Sequence, residues 1–181
     1  MILKKNSMLR LTLIRLRRNK LAMIGLAVLI LLILVAVFAD YVAPFKYSRQ
    51  NLREVLQHPN AKHLLGTDEF GRDVLSRLIY GARVSLQVGL VSVSIALVLG
   101  GALGAMAGYY GGWLDNLLMR LMDVQLAIPS TLLAIAIAAA LGPGLFNLMI
   151  AVGISSVPRF SRLLRASVLS VKEMEFIEAA R

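Results

Sequence analysis

Two long stretches without a charged residue constrain most strongly what this chain can fold into. Leu21–Ala39 runs for nineteen residues without Asp, Glu, Lys or Arg, and Val84–Leu114 runs for thirty-one. Nineteen residues of helix are about 28 Å long, which is close to the hydrocarbon thickness of a bilayer. Since 58% of the residues are hydrophobic and 17% are charged, we predict an all-α polytopic membrane protein.

The first uncharged stretch has two interpretations, a membrane anchor and a cleaved signal peptide. The apolar run is long for a signal peptide, and Phe38-Ala39-Asp40-Tyr41 lacks the small residues of a cleavage site. We therefore expect Leu21–Ala39 to remain as the first span.

The basic residues predict the orientation. Residues 1–20 hold seven cations and no acid, which places the N-terminus in the cytoplasm by the positive-inside rule. The same segment is suited to lie on anionic lipid as an interfacial helix, although the charge could also serve orientation alone. The formal charge of +10 predicts no nucleic-acid partner, because the cations flank apolar blocks without interleaved aromatic residues.

Turn residues divide the rest of the chain. Gly142-Pro143-Gly144 is typical of a tight turn, and Pro129 predicts a kink inside the third apolar helix. The predicted organisation is a cytoplasmic basic segment 1–20, spans at 21–39, 84–107, 117–141 and 145–165, an external loop 40–83, a cytoplasmic turn 108–116, an outer turn 142–144, and a cytoplasmic segment 166–181.

Small residues recur on the second predicted span. Gly100, Gly104 and Gly108 are four residues apart, so they share one helix face and would admit another backbone closely. We expect this face to pack against another helix.

Side chains for catalysis or metal binding are not evident. The chain has no phosphate-binding loop motif and no zinc-protease or nucleophile-elbow motif. His58 and His63 are expected to be solvated loop residues, and no metal site or cofactor is predicted. The acids at 68, 69 and 73 alternate with Arg72 and Arg77, which favours a local ion-pair network over paired catalytic carboxylates.

Several longer motifs resemble one family in order along the chain. They are Arg18-Asn19-Lys20-Leu21-Ala22, the block HLLGTDEFGRDVLSRLIYGARVSL from His63, Gly108-Tyr109-Tyr110-Gly111-Gly112, Met119-Arg120-Leu121-Met122-Asp123, Ala127-Ile128-Pro129 and Leu141-Gly142-Pro143-Gly144-Leu145. Together they resemble the second permease subunit of bacterial dipeptide, oligopeptide and nickel ABC importers, from about Arg17 to Arg181.

The resemblance implies a function and a set of partners. It implies a subunit of the bacterial inner membrane that forms half of a translocation path for di- or oligopeptides, with nickel or another small solute as an alternative cargo. It also implies a homologous permease as partner, two separate ATPase subunits that bind ATP, and an external solute-binding protein.

The resemblance also assigns residues. Glu178, Ala179 and Ala180 match the opening of the family's cytoplasmic coupling helix, and Glu175 lies in the same segment. The block from His63 is charged, is punctuated by glycines and adjoins the second span, so we place it on the outer face and expect it to contact the binding protein or the partner permease. Its candidate residues are Gly66, Asp68, Gly71, Arg72, Asp73, Arg77 and Arg83.

The chain's end leaves alternatives open. The type I importer permease fold would have six spans and a Gly shortly after Glu-Ala-Ala, whereas four spans are predicted here, so we expect a fragment or a truncated product. From the residues alone, Val168–Arg181 could also be an amphipathic tail on the inner leaflet. A non-transporting membrane anchor or adaptor is the alternative function.

Overall fold

The computed structural model describes residues 16–174. The described residues form two compact units, 16–86 and 87–174. Within the described residues the regular structure is helical, and the loop at 43–73 contains one isolated antiparallel bridge between Thr67 and Asp73. The helices are α1 (Lys20–Val37), α2 (Ala39–Val42), α3 (Val74–Tyr110), α4 (Gly112–Ala127), α5 (Ser130–Leu141) and α6 (Leu145–Lys172).

The first unit begins with an apolar helix that has little protein around it. The side chain of Asn19 caps α1 by accepting a hydrogen bond from the Ala22 N–H at 3.2 Å. Ala36 is the buried residue of α1, and the large apolar side chains along the helix are exposed. Such a surface is suited to lipid, and α1 meets the length and apolarity of a membrane span.

The second long helix begins earlier than predicted. We expected an external loop over 40–83 and a span from 84, but α3 starts at Val74. The reason is local: the Asp73 carboxylate accepts a hydrogen bond from the Ser76 N–H at 2.7 Å, which is the geometry of a helix N-cap. α3 is 37 residues long and is the second candidate span. It ends at Tyr110, where Gly111 adopts a φ of 66°.

The second unit contains a broken helix where the third span was predicted. α4 begins at Gly112, inside the predicted turn 108–116, and α4 and α5 meet at an angle of 91°. Ile128 is extended and Pro129 lacks an N–H, so the helix cannot continue through them. The prediction of a kink at this position is confirmed. The pair counts as a third candidate span if it is one bent segment.

The last described helix is longer than the fourth predicted span. α6 runs to Lys172, so residues 166–172 continue it rather than start a separate segment. Arginines and serines dilute its apolar run, and α6 is not among the candidate spans found in residues 16–174. The structure thus has two candidate spans, or three with the bent pair, and the fourth span remains a prediction.

Candidate outer-loop and helix-packing sites

The predicted ion-pair network of the outer loop is centred on Asp68. Its carboxylate accepts hydrogen bonds from the backbone N–H groups of Phe70 and Arg72 at 2.9 Å and from Arg72 Nε at 2.7 Å. The Arg77 guanidinium also donates to it. Desolvation alone would raise the pKa of Asp68, but these donors outweigh it and hold the pKa well below its usual value of 3.8.

A second network is buried beneath the loop, and it corrects the expectation that His63 is solvated. The His63 ring is almost fully buried, with Nδ1 2.9 Å from Asp73 Oδ1 and Nε2 3.3 Å from Glu54 Oε2. Asp73 also accepts from the Ser76 hydroxyl at 2.7 Å, and that hydroxyl accepts from the Phe45 N–H at 3.0 Å. Desolvation opposes ionisation of Asp73, yet bonds from Ser76 and His63 keep its pKa below 3.8.

The two loop glycines are required by the backbone. Gly66 has a φ of 75° and Gly71 a φ of 67°, in the left-handed region. A Cβ on Gly66 would overlap the Gln57 carbonyl oxygen, and one on Gly71 would lie 2.6 Å from the Asn51 carbonyl carbon. Both glycines therefore allow close backbone contact inside the loop.

Arg83, on α3, joins that helix to the C-terminal end of α1. Its Nε donates to the Ala36 carbonyl at 2.9 Å, and its Nη2 to the Val37 carbonyl at 3.2 Å and to Asp40 at 3.1 Å. The guanidinium thus satisfies carbonyls of the last turn of α1, where a cation also favours the helix dipole. The Tyr80 hydroxyl donates to Asp40 at 2.9 Å. This hydrogen bond is the largest cause that lowers the pKa of the Asp40 carboxyl, and the hydrogen bond from Arg83 is the next.

The geometry gives the predicted outer-loop residues internal roles. Asp68 pairs with both Arg72 and Arg77, and Asp73 is buried. Among residues 16–174 no group of three His, Cys, Asp or Glu is arranged to hold a metal ion. The exposed surface of the loop includes apolar side chains and cations, among them Lys46, Arg49, Leu52, Arg53, Leu56, Leu64 and Phe70.

In the second unit, the three predicted packing glycines line the contact between α3 and α6. A Cβ on Gly100 would lie 2.5 Å from the Val157 carbonyl oxygen, one on Gly104 would lie 2.8 Å from the Ser161 carbonyl carbon, and one on Gly108 would lie 3.0 Å from the Arg165 carbonyl oxygen. These partners are also four residues apart. Since both series ascend together, α3 and α6 run parallel with their backbones in direct contact.

Polar pairs hold α6 against α4. Arg165 forms a bidentate salt bridge with Asp115, with Nε–Oδ1 at 2.5 Å and Nη2–Oδ2 at 2.6 Å. Arg162 Nη2 lies 2.6 Å from Asp123 Oδ1, and Gln125 donates to the Ile154 carbonyl at 2.8 Å. Asp123 lies one turn after Arg120 on α4, but its ion pair is with Arg162 of α6.

Comparison with known proteins assigns the family. Residues 7–59 match the family described as the N-terminal TM domain of oligopeptide transport permease C, and residues 100–181 match the binding-protein-dependent transport system inner membrane component. The dipeptide transport system permease protein DppC of Alkalihalophilus pseudofirmus is 51% identical over 92% of this chain and 55% of its own length. The chain belongs to the family of binding-protein-dependent transport permeases.

Other relatives of the permease carry related names. The di/tripeptide transport system permease protein DppC of Pseudomonas aeruginosa is 48% identical over 90% of this chain and 56% of its own length. The glutathione transport system permease protein GsiD of Pectobacterium atrosepticum is 43% identical over 92% of this chain and 55% of its own length. The permease chain spans about half the length of the curated relatives it matches.

The family and the apolar helices make the permease a multi-pass protein of the inner membrane. Its predicted coupling residues, Glu175, Glu178, Ala179 and Ala180, lie outside the described residues. α6 leads towards them along the sequence.

Sequence reasoning missed several residues that organise the site of the permease. Glu54, His63 and Ser76 build the buried network, and Asp40 and Tyr80 build the junction with Arg83. One signal was available, because Asp73 and Ser76 have the spacing of an N-cap and its third helical residue.

Proposed function

We propose that the permease forms one half of the translocation path of an ATP-driven importer of di- or oligopeptides. The observation that carries this proposal is the 51% identity with a dipeptide transport permease over 92% of the chain. The names of the other relatives, which include di/tripeptide and glutathione transport permeases, support a small peptide as cargo. In this proposal the second half of the path is a homologous permease subunit.

The proposal places ATP hydrolysis on separate subunits that move the permease through residues 175–180. Two features of the described structure support a mechanical role for α6, which precedes those residues. Its backbone touches α3 at the glycines, and its arginines hold two acids of α4. A displacement of α6 would therefore be transmitted to both neighbours instead of being absorbed by soft contacts.

The proposal places the loop between α2 and α3 on the external face, with the N-terminus in the cytoplasm. Here a solute-binding protein or the partner permease would meet the exposed apolar and basic side chains of the loop, such as Leu52, Arg53 and Leu64. The buried His63–Asp73 network would keep that surface in shape.

Uptake of a labelled dipeptide tests the function. The gene in its natural reading frame is deleted from its host and restored on a plasmid, and uptake is measured at saturating dipeptide. We expect deletion to abolish uptake and the plasmid to restore it. Dipeptide uptake that is unchanged in the deletion strain would contradict the proposed function.

The coupling role needs a separate test with a matched control. Glu178→Lys is expected to lower uptake at least tenfold while the protein remains in the membrane and retains its partner permease. Glu173→Lys makes the same charge change at an exposed position just after α6 and is expected to leave uptake near normal. Equal uptake by the two variants would refute the assignment of Glu178 to ATPase docking.

A further inference from the structure

A cleft between α2, the loop that follows it and the start of α3 has no role in the proposed transport. Its volume is about 490 Å³, and its lining includes Asp40, Tyr47, Arg77, Tyr80 and Arg83. All of these residues belong to the first unit. We propose that this cleft binds the headgroup of a zwitterionic lipid, with the ammonium of a phosphoethanolamine group against Asp40 and its phosphate against Arg77.

The position of the cleft favours a lipid. The apolar helix α1 ends at Val37, and Asp40 follows within one turn. Polar groups at the end of a span lie at the level of the headgroups, where tyrosines are enriched. Phe38 and Tyr41, on the same short stretch, are exposed as expected for side chains at a membrane surface.

Asp40 has unused capacity to bind an ammonium group. One carboxylate oxygen accepts from Tyr80 and the other from Arg83, whereas a carboxylate offers about four acceptor sites. The Asp40 side chain is 61% exposed. The Arg83 guanidinium already lies over the Tyr80 ring, 5.9 Å from its centroid. The Tyr47 ring, 5.2 Å from that of Tyr80 at an angle of 54°, would attract the same ammonium group.

Arg77 has unused capacity to bind a phosphate. One of its five N–H groups donates to Asp68, and its side chain is 46% exposed. The guanidinium would present its remaining donors to phosphate oxygens, which it binds well.

The acid in the cleft distinguishes a zwitterion from an anion. Among the lining residues Arg77 and Arg83 are cations and Asp40 is the acid, and the Arg83 guanidinium pairs with Asp40. Arg77 shares its partner Asp68 with Arg72, which leaves Arg77 free to attract a phosphate. An anionic lipid without an ammonium would leave the exposed Asp40 oxygens and the Tyr47 ring without a cation, whereas a zwitterionic headgroup brings one charge of each sign. A free zwitterion, such as a dipeptide, shares this chemistry and is the alternative source.

Native mass spectrometry of the purified full-length protein in detergent tests the proposal. The probe is an equimolar mixture of phosphatidylethanolamine and phosphatidylglycerol with identical acyl chains. We expect the ethanolamine lipid to be retained about ten times more than the glycerol lipid. Near-equal retention by the unmodified protein would overturn the proposal.

Two variants and two matched controls assign the effect to the cleft. Asp40→Asn should bring the retention ratio close to one. Tyr47→Ala should lower it at least threefold without a folding defect, because no hydrogen bond or ion pair among residues 16–174 involves the Tyr47 side chain. Glu69→Gln and Tyr41→Ala alter exposed residues outside the cleft and should leave the ratio unchanged. An unchanged ratio in both cleft variants would overturn the site.

A competition arm separates the two ligand sources. Dialanine at millimolar concentration carries a free ammonium and a carboxylate but no acyl chains. The lipid ratio should not change when dialanine is added. Displacement of the ethanolamine lipid by dialanine would overturn the lipid assignment in favour of a soluble zwitterion.

Discussion

The contact between α3 and α6 predicts that a single methyl group on Gly104 destabilises the permease. Its Cβ would lie 2.8 Å from the Ser161 carbonyl carbon, while ordinary contacts begin at about 3.4 Å. The α6 backbone would have to withdraw by at least 0.6 Å, the difference between 3.4 and 2.8 Å. Neither backbone can yield as a flexible side chain would, so overpacking of this kind costs about 1–3 kcal/mol.

A matched control removes the effect of helix propensity. Alanine is favoured over glycine in a helix by about 0.8–1 kcal/mol, which would partly mask the clash in Gly104→Ala. Gly101→Ala gains the same propensity, but its Cβ meets only the Leu164 side chain at 3.8 Å. We therefore expect Gly104→Ala to be less stable than Gly101→Ala by about 1–3 kcal/mol.

The assay is thermal unfolding of the purified protein in a mild detergent, followed by loss of the monodisperse peak in size-exclusion chromatography. Gly104→Ala should aggregate at a lower temperature than both the unmodified protein and Gly101→Ala. If the two alanine variants unfold at the same temperature, the backbone contact at Ser161 does not limit stability and the reasoning is refuted.

Three further predictions concern the polar networks and the loop. Arg165→Lys keeps the charge but loses the bidentate salt bridge with Asp115. The substitution should destabilise the protein by about 1–2 kcal/mol. A double-mutant cycle with Asp115→Asn should show a coupling energy between the two residues, whereas additive effects would contradict the salt bridge. Asp68 and Asp73 have folded-state pKa values below 3.8, so their contribution to loop stability is complete above about pH 4 and is lost as the pH falls through the lowered pKa values. Hydrogen exchange at the amides of Phe70, Arg72 and Ser76, corrected for intrinsic rates, should show protection decreasing below that pH and constant between pH 5 and 7. Leu56 is 69% exposed and has a φ of 51°, so Leu56→Asn should raise the unfolding temperature by relieving up to about 1 kcal/mol of backbone strain, and a lower unfolding temperature would contradict this.

The features that could be predicted from the sequence are those that depend on local composition. The uncharged run at 21–39 coincides closely with α1. Pro129 separates α4 from α5 because the N–H that proline lacks is a local requirement of the helix. The start of α3 was missed because the charged residues from Asp73 to Arg83 are typical of a loop. The charge of Arg83 is matched through the fold instead, by Asp40 and by carbonyls of α1 more than forty residues away in sequence.

The same distinction explains the candidate site. Local pairs such as Asp68 with Arg72 follow from their spacing, and the structure has them. His63 resembles any loop histidine in sequence, and only the folded loop brings Glu54 and Asp73 to its two nitrogens. Long-range partners leave no periodic signal in a single chain, so a pattern-based interpretation assigns such residues to solvent.

The two kinds of contact on α6 differ in how they would respond to a force. The contact with α3 is interlocked, because Ile95 of α3 lies over Gly153 of α6 and Val168 of α6 lies over Gly108 of α3, so it resists both close approach and sliding along the helix axis. The bidentate salt bridge of Arg165 with Asp115 requires the guanidinium and the carboxylate to be aligned, so a short displacement breaks its hydrogen-bond geometry. A pull on the C-terminal end of α6 would therefore be transmitted to α3 through the interlocked contact and to α4 through the ion pair. Breaking the pair should leave α6 packed on the glycines but weaken its link to α4, and the double-mutant cycle measures the coupling energy of that link.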